Sequence, residues 1–548
     1  MNKNLLSFFF ILLISTARGQ TPNLPLPYTF DLYQKLNCRV YDSKTFSHTA
    51  LKPYFSDSDQ LRDMTDSILG YGIDSTRRGW VDRKLWNEHL VDVKTDEYSA
   101  YVDFLPDFLV GRDVSGRRNT WLNTRGFQAG GTIGKKFSFY TSGYENQGRF
   151  APYLENYSLT SRVVPGQSHD RGIGKDLRDW SYVSAYLSYT PVKYLNIMLG
   201  QDKTFIGDGY RSMLLSDFTS NYPFLKLTGN LGRVQYMAMW AAMQENTAAP
   251  KLSYYAGNRK KGAVFHYLDW NVNKRLSLGF FDAVVWSKTD DDGNLRGFDP
   301  GYVNPLIFLR PVESESGSPD NSALGFTAKY EVLKNAAVYG QFFLDEFVSE
   351  SLFKASGSNR NKWAWQLGVR GADLFGIPNL NYLAEYNLSR PYTYTGRVWT
   401  ISYSHYNEPL AHPFGANFQE FVGKLNYSWK RFDLSSQLTL AQYGLDLNEF
   451  THFGKNIFKP YPLDETLNNT IGQGIPTDLT YGSVKVSFLL NPSYNLRLEL
   501  GQIYRQERNT MLNDKTSWWT FGLRSSFRNL YQDLSSITRY RHVFDGQY

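Results

Sequence analysis

The chain has 548 residues, 16% of them aromatic with 39 tyrosines, and a net charge of +7 at neutral pH. Its mean hydropathy is −0.44, and no long apolar run follows the first twenty residues. That excludes a helical membrane protein but not a membrane barrel, whose strands need only about 9–11 residues with one apolar face. The charge is mild for this length and argues against nucleic acid as a partner.

The N-terminus reads as a secretory leader over 1–19. Lys3 supplies the positive region, Leu5 to Ile14 the apolar one, and Ala17-Arg18-Gly19 the cleavage pattern. Loss of Lys3 and Arg18 with the leader lowers the charge to +5. The single cysteine, Cys38, lies too far past the apolar stretch to accept a lipid, and it has no partner for a disulfide. Residues 20–97 have a different character. Pro22, Pro25 and Pro27 come first, and then Leu61, Met64, Ile68 and Leu69 recur at helical spacing after a cap at Asp57 or Ser58. This part reads as a small helical N-terminal periplasmic segment or plug.

From about Tyr98 an alternation of period two takes over, which places successive side chains on opposite faces of a strand. A first strand is expected over 98–110. Pairs joined by tight turns then follow over 121–134 and 137–144, 180–190 and 195–201, 224–229 and 234–244, and 263–272 and 276–286. Four more follow over 324–332 and 336–347, 363–373 and 380–388, 421–430 and 432–443, and 481–490 and 496–505. A last strand is expected over 518–527, and 398–406 offers one further candidate.

The total is about eighteen, an even number that is expected to return both termini to the periplasm, where the short turns lie. In the seventh pair Leu425, Tyr427 and Trp429 oppose Lys424, Asn426, Ser428 and Lys430. In the eighth pair Val484, Val486 and Phe488 oppose Ser483, Lys485 and Ser487. Lysine or arginine facing lipid near the midplane costs roughly 2–4 kcal/mol, so the polar faces belong to the lumen. Trp180, Trp286, Trp363, Trp429 and Trp518, near strand ends, suit interfacial girdles. One end of the pattern is consistently tight, and the other carries loops such as 146–179, 288–322, 389–420 and 444–480. The fold class expected is all-β: a transmembrane antiparallel barrel over 98–528 with long extracellular loops, followed by a periplasmic tail over 529–548.

No catalytic arrangement is present. There is no G-x-S-x-G elbow, no H-E-x-x-H helix and no phosphate-cradling glycine loop. Asp290-Asp291-Asp292-Gly293-Asn294 matches only the start of a calcium loop. The chain is therefore expected to be no enzyme and to need no cofactor or metal. The long loops carry a different chemistry. Arg149, Tyr153, Arg162 and Arg171 lie in one, and Arg390, Tyr392, Tyr394, Arg397, Trp399 and His405 in another. Aromatic rings offer apolar faces to sugar C–H groups, and arginine clamps carboxylates in two-point geometry. Such residues suit an acidic glycan.

Three stretches are more specific. The first runs from Gly200 to Ser212 and continues at Tyr222-Pro-Phe-Leu-Lys226. The second combines Tyr302-Val-Asn-Pro305, Arg310-Pro-Val-Glu313 and Gly317-Ser-Pro-Asp-Asn321. The third combines Arg390-Pro-Tyr-Thr-Tyr394 with the run from Glu408 to Asn417. Together they resemble the Wzi-type capsule assembly outer-membrane family, and within it most closely the gliding motility branch, RemB. The resemblance adds Asp208, Tyr210, Arg211 and His412 to the candidate ligand-binding residues. It implies a barrel of about eighteen strands in the cell outer membrane, with loops folded over the lumen. It also implies a lectin for surface or capsular polysaccharide, a lipid surround, and a possible link to gliding or secretion machinery. Two readings compete: a general diffusion porin, since eighteen strands are wide enough for an aqueous channel, and an outer-membrane enzyme acting on glycan or lipid.

Overall fold

The computed structural model describes residues 25–42, 46–55, 79–172, 175–245, 257–290, 294–297, 300–305, 320–346, 356–525 and 527–537. The leader and the helix expected over 58–69 lie outside the described residues.

Eighteen long antiparallel strands close into one barrel. They are β1 (Tyr98–Asp113), β2 (Arg118–Ile133), β3 (Phe137–Arg149), β4 (Arg178–Val192), β5 (Leu195–Asp202), β6 (Tyr222–Leu231), β7 (Val234–Glu245), β8 (Arg259–Asn271) and β9 (Leu276–Ser287). Then come β10 (Asn321–Leu333), β11 (Ala336–Glu346), β12 (Lys362–Gly371), β13 (Leu380–Ser389), β14 (Phe418–Trp429), β15 (Phe432–Leu445), β16 (Ile475–Asn491), β17 (Leu496–Arg508) and β18 (Asn513–Ser525). Each strand pairs with its neighbour in the chain. β18 closes the ring on β1, with Leu523 opposite Phe108 and Trp518 opposite Asp113. Below that seam the short strand Val91–Lys94 pairs with the start of β1, Val91 opposite Val102. It covers an edge that would otherwise present unpaired backbone groups.

The faces follow the alternation. Leu434, Leu438, Leu440, Val484, Val486, Trp519 and Phe521 are exposed on the outside, while Asp103, Asp107, Gln128, Glu385, Glu420, Arg505 and Glu507 are buried inside. This inversion of a soluble protein is what a hydrocarbon surround requires, and the protein is an outer-membrane barrel. The periplasmic turns are short, and several put a residue in the left-handed region: Gly134 (φ 56°), Gly232 (φ 67°), Asn335 (φ 63°), Lys430 (φ 54°) and Asn495 (φ 53°). Glycine and asparagine adopt that conformation at least cost.

The structure departs from the sequence reading in four respects. Trp180 and Trp518 do not belong to a girdle, being buried on the inner side; Trp286 stands on the outward face but is covered by Tyr302, whereas Trp429 and Trp519 are exposed. A shift of one residue reverses a side chain's face, so strand-end assignments are the fragile ones. The candidate strand at 398–406 is no part of the wall. It forms a 3-10 turn (Trp399–Ile401) and a two-residue strand (Ser404–His405) paired with Glu408–Pro409. The loop end is not uniformly long either, because 114–117 and 509–512 are four-residue turns on either side of the seam. Finally, the tail from 529 does not hang in the periplasm as far as residue 537. Asn529, Tyr531, Gln532 and Asp533 bond to loop and wall residues inside the barrel, and Ser536 reaches Glu507 near the outer end of β17 at 2.7 Å.

The N-terminal segment also enters the lumen. Its helices α1 (Phe30–Gln34) and α2 (Asn37–Val40) pack Tyr33, Leu36, Val40 and Tyr41 with Tyr54 against Ala337 of β11. The next helix, α3 (Trp80–Trp86), lies at the periplasmic rim, where Asn491 donates to the Lys84 and Glu88 carbonyls.

Candidate functional site

The lumen is filled from both ends, and the two fillings meet. From outside, the connection 203–221 dips into the barrel. Phe205 and Ile206 pair with Lys52 and Leu51 of the N-terminal segment, and Gly207 N–H donates to the Ala50 carbonyl at 2.8 Å. Tyr41 Oη donates to Asp208 at 2.8 Å. From the wall, Arg370 donates to the Asp208 carbonyl and to Asn37 Oδ1. One guanidinium therefore ties both fillings to β12. Burial pushes the Lys52 ammonium down to about 7, and it donates to the Thr49 and Gly207 carbonyls.

The second node is Arg211. Its guanidinium meets Glu420 of β14 at 2.8 Å and 3.3 Å, and Asp533 of the C-terminal segment at 2.9 Å. Tyr210 Oη donates to Asp533 at 3.1 Å, and Glu385 of β13 accepts the backbone N–H groups of Tyr210 and Arg211. All four charged groups are buried. Charges so deep are tolerated only when paired and hydrogen-bonded.

Above this sits a lid, residues 390–417. Tyr394 Oη donates to the Met213 carbonyl at 2.9 Å and Tyr403 Oη to the Leu214 carbonyl at 2.7 Å. Ser216 N–H donates to the Leu410 carbonyl at 2.8 Å. His412 Nε2 lies 2.6 Å from Glu420, and its Nδ1 accepts from Phe414 N–H. That arrangement is a neutral imidazole donating to a carboxylate. Burial pushes His412 down to about 4 and His405 to about 3. Glu408 accepts the N–H groups of Gly166 and Ser220 and so joins the lid to connection 150–177. Burial raises its carboxyl to about 8. Tyr392 (φ 68°) and Tyr394 (φ 70°) stand in the left-handed region, which costs a non-glycine residue on the order of 1 kcal/mol or more. The contacts of the lid hold them there.

Of the fourteen candidates, seven are buried: Tyr153, Asp208, Arg211, Tyr392, Tyr394, His405 and His412. Tyr210 is half-buried. These eight are partnered inside the cap and plug. Arg149, Arg162, Arg171, Arg390, Arg397 and Trp399 reach the extracellular surface wholly or partly, in two sectors. In the first, Arg171 is taken up by Asp179 and Glu145 and Arg149 by Asp176. Arg162 is exposed nearby at the left-handed end of α4 (Pro152–Ser161).

The second sector lies over the outer end of β12. Arg390 sits over the Trp363 ring at 5.6 Å, Arg397 Nε donates to Tyr461 at 3.1 Å, and the Lys362 ammonium lies 4.0 Å from the Tyr461 ring centre. Trp399 stands 44% exposed beside it. Lys362 and Tyr461 are themselves buried beneath this sector, with Lys362 3.6 Å from Asp345, so what it exposes is Arg397 and Trp399, with Arg390 half-buried. Sequence reading missed Tyr461 and Trp363 as the rings that seat Arg397 and Arg390. It also missed the clamp from Glu385 and Glu420, whose signal was a carboxylate at an inward position of an otherwise apolar-faced strand.

No protein-family model and no curated protein matches the sequence. Among solved structures the chain is similar to Wzi, an outer membrane protein involved in group 1 capsule assembly in Escherichia coli and described as a carbohydrate-binding β-barrel. The identity is 15%, over 93% of this chain and 100% of that one, with a TM-score of 0.55. It is also similar to OprD of Pseudomonas aeruginosa (9% identity, 77% and 94% covered, TM-score 0.41) and to OccAB2 of Acinetobacter baumannii (8%, 77% and 97%, 0.41). The first likeness establishes the fold. The other two are too loose to argue from.

Proposed function

We propose that this protein holds polysaccharide at the outer surface with its extracellular cap, neither conducting solutes nor catalysing a reaction. The observation that carries the reading is the double plug. Connection 203–221 and the C-terminal segment are locked across the lumen by Arg211, Glu420 and Asp533, and the N-terminal segment lies beneath them. A general porin needs that space open. With the lumen filled, the outer surface is where an extracellular ligand can bind. There the exposed Arg397 and Trp399, with the half-buried Arg390 beside them, offer planar donors for carboxylates and a ring for a sugar face. The fold shared with a carbohydrate-binding barrel of capsule assembly supports the same reading.

The test pairs two measurements on purified protein. Planar bilayers are expected to show little current, and immobilised acidic surface polysaccharide is expected to retain the protein. Arg397→Ala with Trp399→Ala should weaken retention by about tenfold, the loss expected for one charged contact and one stacked ring. Steady open current, or retention indifferent to both substitutions, would overturn the reading. The finer division, capsule against gliding and adhesion, is separated by a deletion strain scored for surface polysaccharide and for spreading.

A further inference from the structure

A cavity lies at the end of the barrel opposite the cap, between α1, the inner faces of β14–β17 and residues 529–533. It encloses about 180 Å³. On the scale where one water needs roughly 10–15 Å³, that is room for on the order of a dozen waters, close to the heavy atoms of one hexose. Its lining includes Asn495 and Arg497 at the periplasmic turn, so it faces the periplasm rather than the cap.

The space exists because inward positions of the wall carry small side chains: Ser428, Ser435, Ser483 and Ser487. Gly501 stands opposite Lys485, and a β-carbon there would come 3.7 Å from Lys485 Cγ and 2.7 Å from Thr520 Oγ1. The charges are unequally matched. Lys35 pairs with Asp433 at 2.8 Å, and Glu499 is held by Arg497 at 3.2 Å and Arg524 at 2.9 Å. Asp31 accepts from Asn426, and Asp533 belongs to Arg211. Two lysines remain. Lys424 donates to Gln437 at 3.1 Å and lies 4.0 Å from the Tyr210 ring centre and 4.6 Å from that of Phe30. Lys485 makes no hydrogen bond or ion pair with any described residue. Among the described residues neither ammonium has a carboxylate in ion-pair contact.

We propose that this crevice is a separate, periplasm-facing site for a monosaccharide-sized unit bearing an anionic group, carboxylate or phosphate. Lys424 and Lys485 take the anion. The Tyr210 ring and the Asn426, Gln437 and serine groups face the sugar. Two ammoniums with no carboxylate in contact, in a partly enclosed site, favour an anion, because any ion brought there meets fewer competing waters. The hydroxyl and amide lining suits a polyol rather than an apolar ligand. The site stands or falls independently of the cap, since it shares none of the cap's exposed residues.

The experiment is calorimetric titration of the full chain in detergent with glucuronate, glucose 1-phosphate, glucose and inorganic phosphate. Glucuronate or glucose 1-phosphate is expected to bind at least about tenfold more tightly than glucose, the size of one charge-assisted contact. The stronger of the two tells carboxylate from phosphate. Lys485→Met should remove most of that preference. Ser487→Glu, which leaves both lysines in place, should weaken the anions and not glucose, and heat-modifiable migration verifies that each variant is folded. Glucose binding as tightly as the anions, no binding of any anion at millimolar concentration, or indifference to both substitutions would overturn the site. Inorganic phosphate matching the sugar anions would overturn its saccharide character.

Discussion

Along β15 the exposed Leu434, Leu438 and Leu440 alternate with inward Ser435, Gln437 and Thr439, and each residue stands opposite a partner in the next strand of the chain. Along 203–221 there is no period, and the decisive partners are remote: Arg211 meets Asp533 across 322 residues. The wall spreads its stability over a ladder of equivalent bonds, so no single one matters much. The plug concentrates its stability in a few buried charges, where desolvation makes each partner indispensable. The wall thus tolerates point changes that the plug cannot.

The sharpest way to break the comparison is Arg211→Ala. It leaves Glu420 and Asp533 buried without a counter-charge, a loss of roughly 3–5 kcal/mol. The plug is expected to detach while the wall survives. Bilayers should then show current, and the variant should still migrate as a folded barrel. A silent variant with parental stability would sink the idea that this node closes the lumen. Leu438→Arg probes the other region. It sets a charge on the lipid face near mid-strand at roughly 2–4 kcal/mol. Urea unfolding should register that loss with the lumen still shut.

Acidification offers a graded opening. The folded-state pKa of His412 is depressed from 6.5 to about 4, so its contribution is fully present above 6.5 and is lost as pH falls through 4. Glu420, Arg211 and Asp533 face the ring, and a charged imidazole would compete for Glu420. Hydrogen exchange across 390–417, corrected for intrinsic rates, should accelerate between pH 6.5 and 4 relative to strand amides. The change should be reduced in His412→Gln. The smallest effect is expected from Arg171→Ala. Its ion pairs with Asp179 and Glu145 are half-exposed and worth roughly 0–1 kcal/mol. A fall of many degrees in melting temperature would mean that connection 150–177 depends on it.

The wall was legible because its signals are local. Ser483, Lys485 and Ser487 against Val484, Val486 and Phe488 name their faces from neighbouring positions alone, and all eight tight-turned pairs have counterparts in the strands. The cap was legible only as chemistry. Tyr392, Tyr394 and His412 stood out as aromatic and ionisable loop residues, but nothing in their order tells an exposed contact from a buried brace. Arg397 and Trp399, a few positions away, reach the surface, while Tyr394 is covered. The C-terminal segment misled for the same reason. Tyr531, Gln532 and Leu534 read as an ordinary tail until the lumen supplies Asp217, Tyr153 and Arg505 as their respective partners.

Period-two alternation, an even strand count and short turns with residues suited to left-handed conformations determine the barrel, its membrane and the sidedness of its loops. Each of these follows from what a residue's immediate neighbours demand. Whether the barrel is open, which arginine meets which carboxylate, and where two lysines have no carboxylate in contact are decided by segments hundreds of residues apart. Polar side chains on an inner face look alike in sequence. Burial then makes their pairing consequential, because a charge withdrawn from water must find its partner in the folded chain.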